Sequence, residues 1–164
     1  MLSARISAKI QMTGCRRAWT GALTMLMRDI AWDHSKRIHR YALAWAKKQG
    51  PDAVLLQLGD SSLLITLALS ISVALEIPLI TYNTEDYYFK TYDYMVRTAG
   101  AGLAYKLFHE RFCRAFKAMM REDPVCIFNC EGLKELYDSE FGTDSHVIYG
   151  STGIGAVEHV REDG

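Results

Sequence analysis

The sequence predicts an α/β fold, a Rossmann-like parallel sheet flanked by helices. Three observations predict it. Four short apolar runs alternate with longer segments whose apolar residues recur at three- and four-residue steps. Turn-forming or capping residues bound most of the runs. Polar residues gather just after the first three runs. Short strands alternating with helices imply parallel neighbours joined by right-handed crossovers.

Taken in order, Leu23, Leu26, Met27 and Ile30, then Ile38, Tyr41, Ala42 and Trp45, mark a helix from 22 to 49. A break is possible at Asp33–Ser35, and Gly50-Pro51 stops it. "AVLLQL", 53–58, reads as a buried strand. Asp60, Ser61 and Ser62 are suitable caps for a helix over 63–76 that is apolar nearly all round, so it is expected to be covered on several sides. Residues 78–82 form the second strand. A long helix over 103–121 shows a core stripe of Leu103, Leu107, Phe108, Phe112, Phe116 and Met120. Residues 125–128 are the third strand, 131–141 a helix closed by Gly142, and 146–149 the fourth strand. The expected layout is a basic, poorly ordered segment over 1–21, a Rossmann-like domain over 22–150, and a linker or tail over 151–164.

The totals exclude several function classes. Among 164 residues, Lys plus Arg and Asp plus Glu are 19 each, so no global field draws the chain to nucleic acid. Cys126 and Cys130 are four apart, with no second close pair to complete a zinc site. Cys15 and Cys113 stand alone. Reduced thiols fit a cytoplasmic chain. The uncharged run from Ser61 to Leu75 is shorter than the ~20 residues a spanning helix needs. The N-terminal segment carries Arg5, Lys9, Arg16 and Arg17 and no acid before Asp29. It resembles a transit peptide in composition, but an internal start within a longer ancestral frame is the simpler account.

Ligands of open parallel sheets bind outside the carboxyl ends of the strands. Here those ends carry Gly59, Asp60 and Ser61; then Asn83, Thr84, Glu85, Asp86 and Tyr87; then Asn129, Cys130 and Glu131. The segment "PLITYNTEDYYFK" thus runs from a buried strand into a polar rim, with Tyr87, Tyr88 and Phe89 placed either to wall a cleft or to seal the core. Asp60, Ser61 and Asn129 have helix capping open to them as a purely structural role.

Other motifs are weaker. "GSTGIG", 150–155, follows a strand but lacks the G-x-G-x-x-G spacing. It also lacks room for an acidic ribose partner about 20 residues on, so no cofactor is expected there. The five histidines, His34, His39, His109, His146 and His159, show no metal-ligand spacing, and no metal is expected. Lys106, Arg111, Arg114, Lys117 and Arg121 give helix 103–121 a basic face open to membrane-surface contact. No sequence motif identifies a catalytic residue.

"WAKKQGPDAVLLQLGDSS", "IPLITYNTEDYYFK" and "FNCEGLKELYDSEFGTDSHVIYGST" together resemble the N-terminal half of a bacterial glycosyltransferase of family 4, the GT-B type, over roughly 23–152. The resemblance implies a fold of two Rossmann-like domains facing each other, the N-terminal one holding a sugar or glycan acceptor and the C-terminal one the nucleotide-sugar. It places Gly59, Asp60, Ser61, Asn83, Glu85, Asp86, Tyr87, Asn129 and Glu131 on the acceptor side. Many members carry a His-Gly pair in the loop where Asn83, Glu85 and Asp86 stand here. The opening strand and glycine-rich loop of a full member are not visible, nor is the donor-binding domain. The expectation is therefore a truncated, cytoplasmic acceptor-side domain for polysaccharide biosynthesis, open to peripheral contact at the inner face of the membrane and inactive alone. A non-catalytic α/β binding or scaffold module is the alternative.

Overall fold

A computed structural model describes residues 22–89 and 102–149. The basic segment 1–21, the run 150–155 and the tail 151–164 lie outside those residues, so the expectations placed on them stand as read from the sequence.

The first helical stretch divides where its pattern weakens. Helix α1 covers 22–33, and α2 runs from Lys36 to Gln49. Ser35 caps α2, its hydroxyl oxygen accepting from the Ile38 amide at 3.4 Å. Gly50 ends α2 with φ 61°, a left-handed position where glycine meets no Cβ penalty. Strand β1 is Val54–Gln57, followed by α3, Ser62–Leu75. Strand β2, Leu79–Asn83, precedes α4, Gly102–Met120. Strand β3, Val125–Phe128, precedes α5, Glu131–Phe141, and β4 is His146–Val147.

The four strands pair in parallel in the order β1-β2-β3-β4. Leu56 lies beside Thr81, Thr81 beside Cys126, and Phe128 beside Val147. Each crossover moves the chain one strand in the same direction, so crossovers of one hand put α3, α4 and α5 on one face. The core is that face: Leu56, Leu58, Leu79, Cys126 and Phe128 meet Ile65 and Ala68 of α3, Phe112, Phe116 and Met119 of α4, and Tyr137 of α5. The alternate residues point the other way and stay wet. Leu55 is 70% exposed, Val125 43% and Ile148 54%, with Ile80, Tyr82 and Ile127 half-buried. Parallel sheets normally bury both faces. The described residues cover one.

Two packing expectations need correction. Leu103 and Leu107 are exposed at the start of α4, and its buried line is Phe108, Phe112, Phe116 and Met119. The apolar stripe continues past the core because nothing described covers that end. Helix α3 touches α2, α4 and the sheet, as its all-round apolar character suggests, yet Leu64 and Val73 remain exposed. Among the described residues, no helix is long and apolar enough to cross a membrane.

Candidate functional site at the strand ends

Parallel pairing brings the carboxyl ends of β1, β2 and β3 to one edge of the sheet. The Leu58 amide donates to the Tyr82 carbonyl at 2.9 Å, and the Asn129 amide to the Asn83 carbonyl at 3.2 Å. The residues following each strand therefore leave the sheet side by side. Gly59, Asp60 and Ser61 follow β1; Asn83 ends β2, with Glu85, Asp86 and Tyr87 beyond; Asn129 follows β3, and Glu131 opens α5.

Their environments divide them. Glu85 and Glu131 are exposed, and Gly59, Asp60 and Ser61 half-buried. Glu131 accepts a hydrogen bond from the Tyr149 hydroxyl at 3.0 Å, and that bond raises the tyrosine pKa. Asn83 is 1% exposed; its Nδ2 donates to Thr81 Oγ1 at 3.3 Å, while its Oδ1 is buried without a protein partner. Asn129 donates from Nδ2 to the Thr84 carbonyl at 3.0 Å, and its Oδ1 is likewise buried and unpartnered. Buried polar atoms are usually satisfied, so two idle carboxamide oxygens on adjacent strand ends call for an explanation.

Asp86 has a different task. Its Oδ1 accepts from the Tyr137 hydroxyl and from the Phe89 amide, both at 2.9 Å. The Tyr137 oxygen in turn accepts from the Tyr88 amide at 3.2 Å. Burial and the Asp86 charge push the Tyr137 hydroxyl well above the ordinary tyrosine range, after partial compensation by the Tyr88 amide. Tyr88 and Phe89 pack edge-on against Phe141 and Tyr137, and Tyr87 meets Phe112. Tyr88 belongs to the core, and Tyr87 and Phe89 pack against it half-buried.

Capping also differs from expectation. Ser61 stands at the N-cap of α3 but makes no side-chain cap bond. The fully buried Asp29 of α1 does so from a distance, accepting from the Ser62 amide at 3.3 Å and the Ser62 hydroxyl at 3.1 Å. Arg28 neutralises it at 2.8 Å. A helix N-terminus at a strand end is a ready anion site; here an internal carboxylate holds it, which argues against a phosphate at α3. Nothing local in the sequence pointed to Asp29, since the contact spans 33 positions. At α5 the N-cap position is Cys130, with no side-chain bond, so Asn129 is not the cap.

Cys113 Sγ lies 3.6 Å from His109 Nε2, but that nitrogen also sits 3.1 Å from the Tyr87 carbonyl, and burial raises the thiol pKa. Burial likewise raises that of Cys126, inside β3. Cys113, Cys126 and Cys130 are all unpaired. Among the described residues, no group of three or more His, Cys, Asp or Glu could hold a metal ion. Comparison with protein-family models, with curated proteins and with solved structures finds no match.

Proposed function

We propose that this chain supplies the acceptor side of a glycosyltransferase of the GT-B type, moving a sugar from a nucleotide-sugar to a glycan or lipid-linked acceptor. The observation that carries the reading is the alignment of Asp60, Asn83, Glu85, Asn129 and Glu131 along one edge of a parallel sheet. Carboxylates and carboxamide oxygens are acceptors suited to sugar hydroxyls. Asn83 Oδ1 and Asn129 Oδ1 are buried without protein donors, which leaves two acceptors unsatisfied beside that edge. The nucleotide-sugar belongs to a second domain outside residues 22–149, because transfer needs donor and acceptor held in reacting geometry. By this reading the chain alone binds acceptor without turnover.

The test uses saturation-transfer NMR with a panel of mono- to tetrasaccharides. Asp60→Ala and Glu85→Ala should each weaken binding several-fold while leaving the thermal transition within a few degrees. Retention of full binding by both variants removes the site. A non-catalytic binding module is the second reading. The open apolar face of Leu55, Val125 and Ile148 favours it, since such a face suits a protein partner.

A further inference from the structure

Helix α2 carries Lys36, Arg37, Arg40, Lys47 and Lys48 and no acidic residue. At about 100° per residue, these five follow one another around the outward side of the helix. Tyr41, Trp45 and Ile38 come next in the rotation, before the buried line at Ala46. Tyr41 is 76% exposed and Trp45 59%, so two large rings stand in water beside a cationic arc interrupted by Ala44 alone. Where α1 meets α2, a groove of about 530 Å³ is lined by Asp33, Lys36, His39 and Arg40. Asp33 pairs with the Arg111 guanidinium through Oδ2, while its Oδ1 is buried without a partner, so the groove is of mixed charge and the cationic arc of α2 carries the attraction.

From this surface we infer that α2 docks on an anionic lipid bilayer, lying in the plane of the headgroups. Strong amphipathicity, a polar average character, a Lys/Arg-rich face and interfacial Trp and Tyr are what such a helix requires. Each basic residue near an anionic leaflet adds attraction, and the rings bury apolar area without entering deep hydrocarbon. The net charge of zero means that the attraction comes from local basic patches, of which the acid-free arc of α2 is one. Helix α4 is the weaker candidate. Lys106 pairs with Glu110, Arg111 with Asp33, and Lys117 lies over the Tyr88 ring at 5.7 Å. A nucleic-acid strand is the chief competing occupant. The rings grade into Ile38 and the buried face instead of interleaving with the cations as stacking platforms do, so lipid is the better fit.

The test is flotation of the full chain with phosphatidylcholine vesicles, with and without about one-third phosphatidylglycerol. Tryptophan emission of a Trp19→Phe/Trp32→Phe variant, in which Trp45 is the remaining indole, reports insertion. Binding to anionic vesicles should exceed binding to neutral ones by roughly tenfold or more, with a blue shift of Trp45. Arg37→Glu/Lys48→Glu and, separately, Tyr41→Ser/Trp45→Ser should each reduce binding at least about tenfold with circular dichroism unchanged. Arg114→Glu/Lys117→Glu on α4 should leave it intact. Equal binding to both vesicle types, undiminished binding by the α2 variants, or Trp45 quenching by single-stranded DNA without vesicle binding overturns the inference.

Discussion

Asp86 accepts two hydrogen bonds, and both hold the chain where β2 turns over the core. Tyr137→Phe removes the hydroxyl at the centre of that arrangement, leaving the buried Tyr88 amide without its acceptor. The expected cost is about 1–3 kcal/mol in urea unfolding. A loss below half a kcal/mol would mean the loop is held by ring packing alone. Asp138 makes a second knot. Lys134, Thr143 and Ser145 all donate to its carboxylate, at 2.7, 2.6 and 2.7 Å, tying the end of α5 to the entrance of β4. Burial opposes ionisation, but these donors outweigh it and hold the carboxyl at about 2. A depressed carboxylate stabilises the fold above its ordinary range and loses that contribution as pH falls through the native value. Asp138→Asn should therefore cost about 1–2 kcal/mol at pH 7, after allowance for solvent screening. The gap should close as pH falls from about 4 towards 2, and a gap independent of pH would assign the loss to packing.

At the scale of elements, period-two alternation makes a sharp contrast between neighbouring residues. Leu56 faces the helices and Leu55 the open side. Leu56→Ser should cost about 3–5 kcal/mol through cavity formation and a buried hydroxyl. Leu55→Ser should stay within about 0.5 kcal/mol and reduce concentration-dependent association in sedimentation. Similar losses at both positions would contradict the one-sided sheet. The sequence made the elements legible because each carries its own punctuation. Gly50 and Gly142 end α2 and α5 in left-handed turns, and the apolar runs match the strands to within two residues at either end. What it hid was placement. Leu103 and Leu107 share the period of Phe112 and Phe116, so nothing local says that the core stops short of them. Ser61 and Ser62 read as self-sufficient caps, while the group that caps α3 comes from α1.

For the whole molecule, the parallel order β1-β2-β3-β4 turns three separate polar segments into one rim. That convergence was legible, because parallel strands end on the same side whatever their neighbours do. Which rim residues stay exposed was not legible. Asp86 and Tyr87 sit in the same five-residue stretch as Glu85, yet Asp86 accepts from Tyr137, the Tyr87 ring packs on Phe112, and only Glu85 of the three is exposed. Among the described residues, both edges of the sheet and one of its faces are left uncovered. The most direct measurement is a ¹H–¹⁵N correlation map of the full chain titrated with short oligosaccharides. Saturable shifts confined to residues 59–61, 83–87 and 129–131 are the result this account predicts. Saturable shifts confined to the open sheet face or the helical side, with the rim unmoved, would contradict it.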